Sequence, residues 1–281
     1  DYGEMLAEHV NTGPDFSVAC MMVEGKKAAN QFGVMSVDDS GRIIHFEEKP
    51  DEPMTIPGQK SMALASMGIY LVSSEYLLKS LKEDALSEVS AHDFGKDIIP
   101  NGIERGDHFH AHTFRNPTND GPPYWRDVGT IDSYYSANIE LLKSESPLNL
   151  YDPDWSTVTY QRQLPPAVFN CSGVGANVQS SMISGGCVLG NSQVRHSILF
   201  SEVSVGNYCE LDGVLALAGC QIGANSKLRN VILDNGCIVP EGTTIGYDVK
   251  SDAAVYHVTE EGTVVINRGM LGQSIKYSPE L

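Results

Sequence analysis

The chain has 281 residues, with 36 Asp and Glu against 19 Lys and Arg, giving a formal net charge of −17. A surface this anionic repels polyphosphate backbones and anionic lipid, which argues against nucleic acid and membrane surfaces as partners. No apolar run of membrane-spanning length and no charged-then-apolar leader occur, so the expected compartment is the cytoplasm.

In chain order, Tyr2 to His9 reads as a helix and Phe16 to Val23 as an apolar strand. Val34 to Val37 and Arg42 to Glu47 alternate about Asp38-Asp39-Ser40-Gly41, a composition that favours a tight reversal, so they form a hairpin. Ala63 to Val72 is a buried strand, and Ser74 to Leu81 has helical spacing behind a Ser-x-Glu start. Asp93 to Ile99 opens a helix, His108 to Phe114 is a strand, and Thr130 to Leu142 is a helix with Tyr134, Ile139 and Leu142 on one side. Strands alternating with helices point to an α/β sheet domain over 1–143. Residues 144–170, with Pro147, Pro153, Pro165 and Pro166, lack steady periodicity and form a connector.

Beyond the connector a 17-residue period takes over. It links Val188, Val205, Ile222 and Val239, then Val194, Leu211, Leu228 and Ile245. Ile198, Leu215 and Ile232 keep the same step, as do Val203, Cys220 and Cys237. A fixed period means stacked coils that bury one another, and this length fits a left-handed parallel β-helix over 171–281 with a strand-rich cap from Val255 to Met270. Ser192, Ser226, Thr243 and Gly206, Gly223, Gly236, Gly242 and Gly246 suit its corners. Of the six cysteines, Cys187, Cys209, Cys220 and Cys237 fall on rungs and none forms a CxxC pair, so free core thiols are expected.

Chemistry-bearing residues follow the strands. Lys49, between Glu48 and Pro50 at the end of the hairpin's return strand, can meet a phosphate while Glu48 accepts hydrogen bonds from sugar hydroxyls; the same pair also suits a solvated surface. Ser66, in Ser66-Met67-Gly68-Ile69-Tyr70, brings a hydroxyl into an apolar strand, facing a cleft or its own backbone. Asp127, in Trp125-Arg126-Asp127-Val128-Gly129-Thr130, precedes a glycine turn and a helix; it suits Mg²⁺, whereas Thr130 suits the helix cap. His108, His110 and His112 alternate along one strand, as metal ligands or as a half-exposed edge. His196 invites comparison with the catalytic His of hexapeptide acyltransferases, but no partner acid is evident.

Five segments occur in a telling order: Phe32-Gly33-Val34-Met35, Phe46-Glu47-Glu48-Lys49-Pro50, Ala65-Ser66-Met67-Gly68-Ile69-Tyr70, His92-Asp93-Phe94-Gly95-Lys96-Asp97 and Tyr124-Trp125-Arg126-Asp127-Val128-Gly129-Thr130. Together with Tyr151-Asp152, Trp155 and the tail Glu260-Glu261-Gly262, the series resembles bacterial glucose-1-phosphate adenylyltransferases, also called ADP-glucose pyrophosphorylases. The resemblance implies an α/β fold, a partial Rossmann-like nucleotidyltransferase domain followed by the β-helix. It implies that Lys49 holds the phosphate of glucose 1-phosphate, that Glu48, Ser66 and the backbone at Gly33 hold the glucose, and that Tyr70, Asp93, Phe94 and Trp125 shape the surroundings. Asp127 would be one of two Mg²⁺ carboxylates, and the reaction the transfer of adenylyl from ATP to glucose 1-phosphate for glycogen synthesis, without a protein nucleophile.

The same resemblance implies a homotetramer and a phosphorylated allosteric effector, with Arg229 at the effector position or a plain rung-surface arginine. It also implies a glycine-rich GGxGxRL loop and a Gly-Asp-His metal segment upstream of Asp1; Gly106-Asp107-His108 spells the latter but lies too far downstream. Because the chain starts at Asp1-Tyr2 without methionine, it reads as a C-terminal fragment expected not to turn over alone. A catalytically silent regulatory subunit, or a related enzyme such as a mannose 1-phosphate guanylyltransferase, fits the same residues.

Overall fold

The computed structural model describes residues 2–59, 61–115, 123–144, 146, 148–153, 156, 158–169 and 175–274. Pro147, Trp155, Cys171 and the rest of 170–174 lie outside them. Contacts group the chain into two units, Asp1–Pro123 and Tyr124–Leu281.

The first unit opens with helix α1 (Tyr2–Thr12), which buries Met5 and ends at Gly13, whose left-handed backbone (φ 61°) suits a residue without Cβ. Strand β1 (Phe16–Glu24) follows, then a short helix α2 (Gly25–Ala28). The hairpin of β2 (Val34–Val37) and β3 (Ile43–Glu47) forms as expected. Asp38 fixes its turn, because Oδ1 accepts the N–H groups of Ser40 and Arg42 at 2.9 and 3.0 Å. Strand β4 (Met62–Val72) pairs antiparallel with β1 and, through Leu64 and Ala65, with β2.

Helix α3 (Ser74–Ala85) is capped by Ser73, whose hydroxyl accepts the Tyr76 N–H. The helix expected from Asp93 starts as a π-helical turn, Phe94–Ile98, capped by Asp93, and continues as α4 (Ile99–Glu104). Strand β5 (Phe109–Thr113) then pairs parallel with β1, giving a mixed sheet of order β3-β2-β4-β1-β5. Phe16, Val18, Phe46, Leu64, Ile99 and Phe109 fill the core on one side, with Phe16 and Phe109 stacked at 4.9 Å.

In the second unit, helix α5 (Ile131–Glu140) is capped by Thr130 and Ser133, each hydroxyl accepting the other residue's N–H. The β-solenoid behind it stacks short parallel strands in register, Val194 on Leu211 on Leu228 on Ile245, all buried. The row Val205, Ile222 and Val239 is likewise in register. Val188 departs from that row: it pairs with Ser204 and is 40 % exposed, while Leu189 pairs with Val205 and is fully buried. The coil here is one residue shorter, so the interior position slips by one. The row Ile198, Leu215 and Ile232 faces outward from the coil interior and is covered by Ile131, Tyr134, Tyr135, Ile139 and Leu142 of the α5 segment. That explains why α5 groups with the solenoid.

Each coil turns on left-handed residues. Ser180, His196, Gly213 and Asn230 repeat at one corner, and Tyr208, Asn225 and Gly242 at another. Gly223 serves differently: a Cβ there would lie 2.5 Å from the Glu241 N of the next coil. Val264–Ile266 continues the stack on Val231–Leu233, and His257–Val258 folds back against it antiparallel. The five described cysteines are free and buried. Among the described residues, no helix is long and apolar enough to cross a membrane.

Candidate active site

Glu48 is the hub of the first unit's polar cluster. It leaves the end of β3 half-buried, and its carboxylate lies against two glycines. A Cβ on Gly33 would fall 2.7 Å from Glu48 Oε2 and overlap the Phe46 ring; one on Gly95 would overlap the same oxygen. Burial pushes the Glu48 carboxyl above its ordinary range, the Asp93 charge adds to this, and Lys49 and Lys96 pull it back. The outcome is a carboxylate of raised basicity, a good acceptor for hydroxyl hydrogens.

Lys49 follows at once, exposed, with φ 49° in the left-handed region that only a few non-glycine residues occupy. Pro50, buried, fixes the chain beyond it, and the Lys49 N–H donates to Phe32 O at 3.2 Å. Ser66 sits on β4 opposite Cys20, nearly buried, its N–H donating to Gly33 O at 2.7 Å. Its hydroxyl oxygen accepts the Gly68 N–H at 3.2 Å, leaving the hydroxyl hydrogen to donate elsewhere. Burial raises the Tyr70 hydroxyl, with Ser66 opposing the shift and Glu48 and Asp93 reinforcing it. Tyr70 also meets Phe94 at 5.6 Å and Phe16 at 5.2 Å, a fixed aromatic wall.

Asp93 holds the π-helical turn: Oδ1 accepts the N–H groups of Gly95 and Lys96 at 2.8 and 3.0 Å. Gly33, Glu48, Ser66, Tyr70, Asp93 and Phe94, with Lys49 beside Glu48, therefore meet in one unit. Gly95 and Lys96 join them and were not singled out from sequence. The available signal was the glycine in Asp93-Phe94-Gly95, between a capping acid and a lysine.

Trp125 and Asp127 belong to the second unit. Trp125 lines a cavity of about 320 Å³ with Tyr124, Arg126, Asn138 and Leu141. Arg126 fixes this segment by lying over the Tyr124 ring at 4.7 Å and pairing with Glu140 at 3.0 Å. Asp127 is exposed and does not cap α5; its Oδ1 accepts the Gly129 N–H at 2.9 Å. Arg229 lies over the Tyr247 ring at 4.6 Å.

Three other candidates resolve into structure. His110 and His112 are buried under α1, where the Glu8 carboxylate accepts from His110 Nε2 at 2.6 Å and from His112 Nδ1. Among the described residues no group of three His, Cys, Asp or Glu is placed to hold a metal ion. Asp107 of Gly106-Asp107-His108 accepts from the Tyr76 hydroxyl and from Arg105, a packing role. His196 does have a partner acid, Asp212 of the next coil at 3.1 Å, missed because coil stacking brings together residues 16 apart; both are exposed at a corner.

Comparison with known proteins matches two family profiles to the chain. A nucleotidyl transferase family profile matches residues 1–144, and a GlmU-like C-terminal hexapeptide profile matches 165–266. The chain is 45 % identical over 276 residues to a glucose-1-phosphate adenylyltransferase of Teredinibacter turnerae, covering 97 % of this chain and 65 % of the relative. Against glucose-1-phosphate adenylyltransferases of Shewanella baltica and Pseudoalteromonas atlantica, identity is 45 % and 46 % over 280 residues, covering 99 % and 98 % of this chain. The chain thus spans 65–66 % of the length of these curated relatives. With the profile covering half of it, the chain belongs to the nucleotidyl transferase family.

Proposed function

We propose that this chain forms the sugar-phosphate-binding part of a glucose-1-phosphate adenylyltransferase, which joins ATP and glucose 1-phosphate to give ADP-glucose and pyrophosphate. The observation that carries the reading is the seat of Glu48, between Gly33 and Gly95 and within electrostatic reach of Asp93 and Tyr70, with the Ser66 N–H bonded to Gly33 O. Hydroxyl acceptors, an aromatic wall and adjacent lysines are what a hexose monophosphate needs.

Glu48 accepts sugar hydroxyl hydrogens and the Ser66 hydroxyl donates, while the Gly33 backbone closes the sugar edge. Lys49 meets the phosphate. Its left-handed backbone ahead of Pro50 is a strained position, of the kind retained where the surroundings enforce it at functional sites. Asp93, with Oδ1 taken by two N–H groups, acts through charge and turn shape, and Tyr70 and Phe94 exclude water. With the phosphate oxygen held in line with the α-phosphorus of ATP, the displacement needs alignment and charge neutralisation rather than a nucleophilic side chain.

Mg²⁺ supplies charge neutralisation on the phosphates when bound. Asp127 fits it: Oδ1 is held by the Gly129 N–H, leaving Oδ2 as a hard oxygen donor, and Mg²⁺ typically takes one or two carboxylates plus substrate phosphates. Assembly as a homotetramer, Arg229 as the contact for a phosphorylated effector, a cytoplasmic location and a role in glycogen synthesis complete the proposal. Pyrophosphate release by the complete gene product, with ATP and other nucleoside triphosphates against several sugar 1-phosphates, tests it. A preference for ATP with glucose 1-phosphate is expected, and a preference for another pair overturns it.

A further inference from the structure

Gly33 and Gly95 both touch the Glu48 carboxylate, yet a side chain at each would meet very different resistance. At Gly33 a Cβ would collide with the ring of Phe46, a buried core residue, as well as with Glu48 Oε2. At Gly95 it would overlap Glu48 Oε2, lie 2.9 Å from Glu48 Cδ and 3.4 Å from Asp93 Oδ1. No backbone atom is among these three nearest neighbours of the Gly95 position. Gly95 is also absent from the glycines with positive φ, so its backbone accepts alanine. What must yield at Gly95 is the end of one flexible carboxylate.

We propose that Gly95 is a positioning residue of the sugar-phosphate site: the missing side chain on the Asp93-capped turn is what seats the Glu48 carboxylate for the sugar. The inference rests on the reading of Glu48 as a sugar ligand. The turn is held independently of Glu48, by Asp93 Oδ1 on the N–H groups of Gly95 and Lys96 and by the Asp97 N–H on Asp93 O at 3.0 Å. Alanine at 95 therefore leaves the turn in place and displaces Glu48 from its half-buried seat. Alanine at 33, by contrast, disturbs the core beneath the hairpin.

The experiment compares Gly95→Ala, Gly33→Ala, Glu48→Asp and the double change Gly95→Ala with Glu48→Asp. Three readouts are needed: thermal melting, calorimetric affinity for glucose 1-phosphate, and NMR titration of the Glu48 carboxyl without ligand. Gly95→Ala is expected to hold Tm within about 2 °C while weakening glucose 1-phosphate roughly tenfold or more. The Glu48 titration should move down toward the ordinary carboxylate range as the group gains water. In the Glu48→Asp background, with one methylene fewer at 48, Gly95→Ala should weaken binding by less than about twofold. Early melting of Gly95→Ala, an unmoved Glu48 titration, or equal losses in both backgrounds each overturns the proposal. A wild-type chain that does not bind glucose 1-phosphate overturns the substrate reading instead, and the ligand-free titration still decides whether Gly95 seats Glu48.

Discussion

Replacing Glu8 with glutamine tests what holds α1 to the sheet. His110 and His112 on β5 are 5 % and 9 % exposed, and both aim a ring nitrogen at the Glu8 carboxylate. Burial raises the Glu8 carboxyl, but the hydrogen bonds from His110 and His112 and their charge outweigh it, so the folded value lies below the ordinary 4.5. A hydrogen bond to a charged group contributes about 1.5–3 kcal/mol, so two bound the effect near 3–6 kcal/mol. The Glu8 side chain is 38 % exposed, and water replaces part of what is lost. A net loss of about 2 kcal/mol is expected for Glu8→Gln, felt locally in α1. Hydrogen exchange of the α1 amides reads this as protection reduced about 30-fold at pH 7. With the folded value depressed, the contribution is complete above the unfolded value of 4.5 and fades as the pH falls through the folded value. Native and Glu8→Gln exchange should therefore converge in acid. Equal protection at pH 7, or a gap that persists unchanged well below pH 4.5, refutes the account.

In the complete gene product, Lys49→Ala should raise the KM for glucose 1-phosphate about 30-fold, the effect of losing about 2 kcal/mol of charge-assisted contact, with little change for ATP; equal shifts for both substrates refute its phosphate role. Asp127→Asn should lower kcat and flatten the Mg²⁺ dependence of the rate, and an unchanged metal titration removes it from the metal site. Leu215→Ala, at a fully buried position under α5, should cost about 2–5 kcal/mol of solenoid stability in denaturant melts.

The periodic rows made the solenoid legible because stacking repeats one geometry, so each interior position must be apolar at a constant step. The same rule hid two features. A row such as Ile198, Leu215 and Ile232 is as regular outside the coil as inside, and only the apolar face of α5 reveals which side it serves. A one-residue shortening at one corner moved Leu189 into the place expected for Val188. In the sheet unit, alternation and turn chemistry placed the hairpin and Glu48-Lys49-Pro50, but α2 was not legible. The helix read from Asp93 to Ile99 is present, and nothing in Phe94 to Ile98 marks its first turn as π-helical rather than α-helical. The pairing of Glu8 with His110 and His112 joins residues about a hundred positions apart, beyond any local pattern.

Gly33 and Gly95 sharpen the point that composition alone does not tell a structural glycine from a functional one. Both lack φ values that demand glycine, and both touch the same carboxylate oxygen. What separates them is the stiffness of the other neighbour. Phe46 is packed among Met35, Ile43 and Leu64 and cannot retreat without opening the core, so a methyl at 33 is paid in stability. Glu48 ends in a carboxylate facing solvent on one side, so a methyl at 95 moves that group and leaves the core intact. The fold thus separates, within one pair of glycines around one side chain, the requirement to hold the hairpin from the requirement to aim its carboxylate.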